Sequence, residues 1–237
     1  MKRIALFLIA VSSIIFTSCE YDNFDEPNAT ISGKVVYEGE TIYVKNNQVT
    51  FRLYEPGWEL SASTYMNVQV AQDGTFSASV YKGKNYCLIR QDNIGPWVNP
   101  TSSDTIYVIN CSKNQVVEMP VTPYYMLTNA SITCSSKVVS GTCSVRQVTG
   151  GRNIEYVGLY AGRNVIVDNT YNFGSAGAVT TTASAGDQIS LTLNLSGLQV
   201  SSTAGSLPST GFIYARMGLK IEGIDAMVYT EPFKLSI

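Results

Sequence analysis

The chain has 237 residues, of which 45% are hydrophobic and only 14% are charged, with a formal net charge of −2. It contains no histidine, which removes the usual zinc ligand and the usual general base near neutral pH. No basic stripe or positive excess is present, so nucleic-acid binding is excluded. The motifs of nucleophile elbows, phosphate-binding loops and C-x-x-C redox pairs are also missing from the sequence. These observations favour a non-catalytic protein without a cofactor or metal.

The N-terminus has the pattern of an export signal. Residues 1–18 combine a positively charged start with an apolar run that is too short for a stop-transfer helix. Two small residues directly before Cys19 resemble the lipobox of bacterial lipoproteins, in which that cysteine is acylated. We therefore predict a cleaved signal peptide over 1–18 and a lipidated acidic tether over 19–28. The alternative is a soluble secreted protein in which Cys19 has no role.

Short alternating runs rich in Val, Thr, Ile and Tyr then predict an all-β fold. The predicted strands of the first half cover residues 30–37, 49–54, 66–70, 75–80, 85–90, 105–111 and 115–121. Asp73-Gly74 between two of them is a hairpin turn signal. No window has a sustained helical period, so helices are not expected.

Two prolines close together, Pro120 and Pro123, place a domain boundary at residue 122. The first domain is therefore expected over 29–122 and the second over 123–237. Predicted strands of the second half cover residues 130–134, 142–148, 154–160, 164–167, 189–195, 212–221 and 228–237. Their number and spacing are typical of an immunoglobulin-type sandwich, with residues 174–186 as a long surface loop.

Several motifs resemble an uncharacterised family of bacterial surface lipoproteins. They are YDNFDEP at 21–27 with TISGKVV at 30–36, QDGTF at 72–76, YKGKNY at 81–86, and the proline-tyrosine pair of the connector at 121–124. In that family the N-terminal domain is transthyretin-like, similar to the carboxypeptidase regulatory domain, and the C-terminal domain is immunoglobulin-like. The resemblance therefore implies two β-sandwich domains in tandem.

The resemblance also implies a cellular setting. Such proteins are similar to those that accompany outer-membrane importers and glycan-capturing lipoproteins of the SusC/SusD type, in polysaccharide utilisation. Acidic residues soon after Cys19 look like the signal that sends such lipoproteins to the cell surface. The expected role is a non-catalytic accessory or scaffold in outer-membrane glycan uptake, with importer components as partners. The alternative is a protein that binds carbohydrate directly through exposed aromatic rings.

Three aromatic residues are the candidates for such binding. Trp58 follows a predicted strand in a Pro-Gly turn, Tyr54 lies at the end of that strand, and Trp97 lies in a second loop. Arg52 or Glu55 would supply hydrogen bonds to sugar hydroxyls. The alternative for each tryptophan is a ring that folds back over the edge of the sandwich, because large rings bury area wherever they can.

Two covalent features complete the expectations. Cys134 and Cys143 flank a segment short enough for a hairpin, which predicts a disulfide between them, whereas a bridge between Cys87 and Cys111 would need their strands to be neighbours. Thr105 lies in an Asp-Thr-apolar sequence that looks like an O-glycosylation acceptor of exported bacterial proteins. The alternative is an ordinary strand-entry threonine whose preceding aspartate closes a turn.

Overall fold

The computed structural model describes residues 25–57 and 64–237, which form strands and connecting loops with two single 3₁₀ turns at Ser102–Asp104 and Gly174–Ala176. The N-terminal strands are β1 (Ala29–Tyr37), β2 (Glu40–Thr41), β3 (Tyr43–Val44), β4 (Thr50–Tyr54), β5 (Met66–Gln69), β6 (Thr75–Val80), β7 (Tyr86–Arg90), β8 (Ile106–Val108) and β9 (Asn114–Pro120). The C-terminal strands are β10 (Tyr125–Ser135), β11 (Val138–Gln147), β12 (Ile154–Gly162), β13 (Ala178–Thr181), β14 (Gln188–Asn194), β15 (Phe212–Ile221), β16 (Val228–Tyr229) and β17 (Phe233–Ser236). The predicted all-β fold with two tandem domains is confirmed. Over the described ranges, no helix has the length and apolar character needed to cross a membrane.

The N-terminal domain packs two sheets face to face. One sheet has the order β2-β1-β6, with β9 parallel to β1 on the other side, and the second has the order β5-β4-β7-β8. Phe51 of β4 meets Phe76 of β6 edge to face, with ring centroids 5.3 Å apart. Since apolar residues alternate along β4, its other side chains point away from this core.

The C-terminal domain is built in the same way. The sheet β10-β11-β14 faces a larger sheet in which β13, β12 and β15 are neighbours. Gly141 of β11 allows the two sheets to approach, because a Cβ at this position would lie 2.9 Å from Leu159 and 3.3 Å from Met217. The strand contacts of both domains bury one continuous apolar core.

The two domains share a sheet. Strand β3, which belongs to the N-terminal half of the chain, pairs with β16 of the C-terminal domain, with Val44 opposite Val228 and Tyr43 opposite Tyr229. Sequence patterns did not predict this pairing of strands from two domains. Its consequence is that backbone hydrogen bonds, as well as side chains, hold the domains together.

A buried arginine reinforces this junction. Arg216 of β15 is fully buried and donates hydrogen bonds to Gln72 Oε1 at 3.0 Å and to the Val44 carbonyl at 3.3 Å. Its guanidinium lies 4.0 Å from the centre of the Tyr229 ring. Gln72 in turn donates to the Val165 carbonyl at 2.7 Å. Burial lowers the pKa of Arg216 to about 10, so the group remains cationic at neutral pH.

Three expectations about the C-terminal strands are wrong. Residues 164–167 form a loop rather than a strand, and Val167 inserts into a small apolar cluster. The stretch 174–186 is not an uninterrupted loop, because its β-branched residues form β13 against β12. The expected strand over 228–237 is split into β16 and β17, and Pro232, which lacks an N–H, lies in the break.

Candidate functional site

The structure buries Trp97. Its ring is 2% exposed and lies over Gly95, where a Cβ would come within 2.3 Å of the ring. Backbone hydrogen bonds tie the same loop to the domain connector, from Val98 N to the Thr122 carbonyl and from Tyr124 N to the Pro96 carbonyl. The prediction of Trp97 as a ligand-binding ring is therefore wrong, because the Gly-Pro turn folds the ring back into the core.

Two of the predicted site residues lie outside the described residues. Trp58 belongs to the stretch 58–63 and Cys19 to the stretch 1–24. The signal peptide and most of the tether over 19–28 fall in the same N-terminal stretch. Ligand binding by Trp58, acylation of Cys19, the signal peptide and the tether therefore stay predictions.

The predicted disulfide between Cys134 and Cys143 is also wrong. The hairpin that joins β10 to β11 places Cys134 opposite Val139, and Cys143 lies four residues further along β11, about 14 Å away at the rise of a strand. Both are free thiols, as is Cys111, which rules out its bridge to Cys87. Burial raises the pKa of the Cys143 thiol to about 12, so this thiol is unreactive in the folded protein.

Asp104 has a structural role beside the candidate glycosylation site. Its carboxylate accepts a hydrogen bond from the Thr101 backbone at 2.7 Å and forms an ion pair with the buried Arg90 at 3.0 Å. The Thr101 hydrogen bond is the main reason why the pKa of Asp104 lies below its usual value. Thr105 follows in an extended conformation and is half-buried. Its glycosylation stays a prediction.

A row of tyrosines crosses the solvent side of the sheet β5-β4-β7-β8. The register places Tyr54 of β4 directly opposite Cys87 of β7, and Cys87 directly opposite Tyr107 of β8. Phe51 and Leu53 of β4 point into the core, so by alternation Tyr54 points outward. Tyr107 is 65% exposed. Two phenol rings therefore stand on the same outer surface with a small side chain between them.

A third tyrosine and an arginine extend this row. The Tyr65 ring packs against Tyr54 with centroids 5.6 Å apart and a tilt of 55°. The Arg52 guanidinium lies 4.3 Å from the centre of the Tyr65 ring, so a cation-π contact holds that ring in place. We call Arg52, Tyr54, Tyr65, Cys87 and Tyr107 the tyrosine face.

Polar groups border the tyrosine face. Asn67 of β5 lies next to Arg52 of the tyrosine face, in the row beside that of Tyr54. Beyond this row, Gln91 Nε2 donates a hydrogen bond to Thr50 Oγ1 at 3.0 Å. Flat apolar rings thus adjoin amide, hydroxyl and guanidinium groups, which is the combination that a sugar with apolar C–H faces and hydroxyls requires.

A cavity of about 410 Å³ opens beside Tyr65, at the end of the N-terminal sandwich. Its walls come from both sheets and are mostly apolar, with Leu53, Met66, Val80 and Tyr86 among them. Glu55, which the sequence suggested as a hydrogen-bonding group for sugar, is instead paired with Lys84 at 3.3 Å on the cavity rim. The cavity therefore adjoins the tyrosine face without adding a free carboxylate to it.

In the part of the chain that the structure describes, no group of three or more Cys, Asp or Glu side chains is placed to hold a metal ion. Sequence reasoning identified Tyr54 and Arg52 but missed Tyr65 and Tyr107. The signal for Tyr107 was present, since it alternates with inward-facing residues of its strand, but only the strand pairing shows that it lies level with Tyr54.

Two family models match this chain. The "Protein of unknown function (DUF3823) N-terminal domain" matches residues 29–122, and the "Domain of unknown function (DUF3823_C)" matches residues 125–234. The chain belongs to the DUF3823 family. Neither family description includes a catalytic activity, and no curated protein matches the chain.

Solved structures from Bacteroides and Parabacteroides species resemble this DUF3823 protein over nearly its whole length. A DUF3823 protein of Bacteroides ovatus is 28% identical with a TM-score of 0.71, covering 88% of this chain and 98% of its own. One from Parabacteroides merdae is 25% identical with a TM-score of 0.76, covering 90% and 100%. A third, from Bacteroides uniformis, is 16% identical with a TM-score of 0.68, covering 89% and 100%, and is provisionally described as a carbohydrate-binding protein.

Proposed function

We propose that this DUF3823 protein is a non-catalytic, lipid-anchored cell-surface protein of glycan uptake that binds carbohydrate on its tyrosine face. The observation that carries the proposal is the alignment of Tyr54, Cys87 and Tyr107 across three adjacent strands, with Tyr65 packed beside them. In a soluble domain an outward row of rings would ordinarily be covered or replaced by polar residues. Tyr107 is 65% exposed and Tyr54 and Tyr65 are half-buried, and this open ring surface on a regular sheet suits a ligand that stacks on flat rings.

The chemistry of the surface supports a sugar ligand over a purely apolar one. Sugar C–H faces stack on phenol rings, and the neighbouring Arg52 and Asn67 are placed to reach ring hydroxyls. One relative with the same fold is provisionally described as carbohydrate-binding, which agrees with this assignment. A shallow surface with few contacts should bind weakly, with a Kd on the order of 0.1–1 mM.

Weak binding is useful if the protein is anchored among other glycan binders. Acylation of Cys19 would hold the tyrosine face at the outer-membrane surface, where a high effective concentration compensates for a millimolar site. Replacement of Cys19 by alanine should release the protein from the membrane fraction of its host and abolish labelling by radioactive palmitate. Retention and labelling of the Cys19→Ala protein would contradict the anchor.

The binding test is affinity electrophoresis of the soluble protein, residues 20–237, through gels that contain a panel of soluble polysaccharides. We expect at least one polysaccharide to retard the parent protein, and Tyr54→Ala and Tyr107→Ala to reduce that retardation. Tyr171→Ala is the matched control, because Tyr171 is a comparably exposed tyrosine, at 55%, in the other domain. Trp58→Ala belongs in the same series, since it tests the binding role that the sequence predicts for Trp58.

Two results would contradict the proposal. Absence of retardation by every polysaccharide would remove carbohydrate binding, and equal retardation of parent and tyrosine variants would place the site elsewhere. The shared β3–β16 pairing favours a second role in the first case, because rigidly joined domains suit a scaffold for an importer complex. Co-purification of SusC/SusD-type components from the native host, unaffected by the tyrosine variants, would support that role.

A further inference from the structure

We infer that the tyrosine face selects extended, ribbon-like glycans of the β-1,4-linked type, and that it holds two sugar residues with one residue between them. The inference rests on the proposed function, because it specifies the ligand of the same site. The inference follows from the register of β4, β7 and β8, because this register sets the distance between the Tyr54 and Tyr107 rings and the direction in which they are aligned.

The first step is the spacing of the two outer rings. Tyr54 and Tyr107 are each the direct partner of Cys87, so they are separated by two strand spacings, about 10 Å, measured across the sheet. The small side chain of Cys87 stands between the two rings. The face therefore offers two separate platforms rather than one continuous patch.

The second step is the repeat of the ligand. In a β-1,4-linked chain with equatorial linkages, successive residues turn over, so every second residue presents the same C–H face to a surface. The repeat of two residues in such a chain is about 10 Å, which matches the separation of two strand spacings. A coiled α-1,4-linked chain curves away from a surface and would place only one residue on a ring at a time.

The third step is the shape of the surface. The sheet twists by roughly 20–25° per strand, so the two platforms are turned relative to each other by an angle that an extended chain can follow. Tyr65, tilted by 55° beside Tyr54 and held by Arg52, closes one end of the row. The bound glycan would therefore run across the strands from β8 towards β5, and Asn67 and Arg52 would lie beside it.

The experiment compares oligosaccharides of increasing length by titration calorimetry with the soluble protein, residues 20–237. For β-1,4-linked glucan, mannan and xylan oligomers, at least one series should show affinity rising about three- to tenfold from the disaccharide to the trisaccharide, because the third residue reaches the second ring. Longer oligomers should add little. The α-1,4-linked maltose series should show no such step.

Variants assign the step to the two rings. Tyr107→Ala should abolish the step, because it removes the second of the two rings on which the trisaccharide stacks. Tyr107→Phe, which keeps the ring, and Tyr171→Ala, in the other domain, should retain the step. Since Tyr107 is 65% exposed, its replacement should leave the fold intact, which the thermal unfolding curve of each variant checks.

The outcomes separate this inference from the proposed function. A maltose series that binds as tightly as the best β-1,4 series, or a step that survives Tyr107→Ala, would overturn the inference while leaving carbohydrate binding in place. Failure of every oligosaccharide and polysaccharide to bind would overturn the proposed function itself, and the inference with it.

Discussion

Replacement of Gln72 by alanine should loosen the junction between the two domains. Gln72 is 8% exposed and links three parts of the structure, since it accepts from Arg216 at 3.0 Å and donates to the Val165 carbonyl at 2.7 Å. The variant leaves a fully buried guanidinium short of one acceptor, which costs about 1–3 kcal/mol or more for a charged group. Val165 as a residue is 46% exposed, so the loss of the hydrogen bond to its carbonyl costs less than the loss at Arg216. We expect a total loss of about 2–4 kcal/mol in the free energy of unfolding.

Urea unfolding followed by tyrosine and tryptophan fluorescence measures this loss. The parent protein should unfold in one transition, because β3 and Arg216 couple the two domains. Gln72→Ala should lower the midpoint and broaden or divide the transition. Gln147→Ala is the matched control, since its single hydrogen bond is long, 3.4 Å, and exposed. A loss below about 0.5 kcal/mol for Gln72→Ala would refute the reasoning, because surface substitutions alone reach that size.

Three further substitutions test the packing inside the two domains. Asp104→Asn should cost about 2–3 kcal/mol at pH 7, because it leaves a buried arginine without its carboxylate. The pKa of Asp104 is lowered from 3.8 in the folded protein, so its contribution is present above pH 3.8, and the difference between parent and variant should shrink as the pH falls below that value. Trp97→Ala should lower the free energy of unfolding in urea by about 3–5 kcal/mol. The folded variant should still be retarded by polysaccharide in the cold, and a loss of that retardation would show that Trp97 belongs to the binding site. Gly218→Ala should lower the unfolding temperature by several degrees, because its Cβ would lie 2.3 Å from the Tyr229 ring, and Gly150→Ala, with open space around it, should not.

The sequence was sufficient to predict the class of the fold and most of its longer strands. β6 and β15 have the predicted limits, because each combines clean alternation with a turn signal on at least one side. The two-residue strands β2 and β3 were missed because alternation has no meaning over two residues. The omission of β3 mattered, since it joins the domains, and its pairing with β16 depends on contacts between residues far apart in the chain.

The candidate site could be predicted only in part for a related reason. Tyr54 was found because it ends a strong strand pattern, but Tyr107 becomes its neighbour only through two successive strand pairings. Trp97 was misjudged because a Gly-Pro turn indicates a loop without indicating which way the next side chain points. Because Gly95 has no side chain, the Trp97 ring can lie directly over it, and the sequence pattern alone does not show this contact.

The predicted glycosylation of Thr105 and the proposed binding at the tyrosine face bear on one another. Thr105 is extended and lies two residues before Tyr107, so the two side chains point to the same side of β8. A glycan attached to Thr105 would therefore lie along the surface that is proposed to bind one. Its sugars would compete with an added oligosaccharide for the rings, because a tethered ligand has a high effective concentration. Protein from the native host, glycosylated at Thr105, should therefore bind added glycan more weakly than unmodified protein. Equal binding by a glycosylated sample would show that the attached glycan does not cover the binding surface.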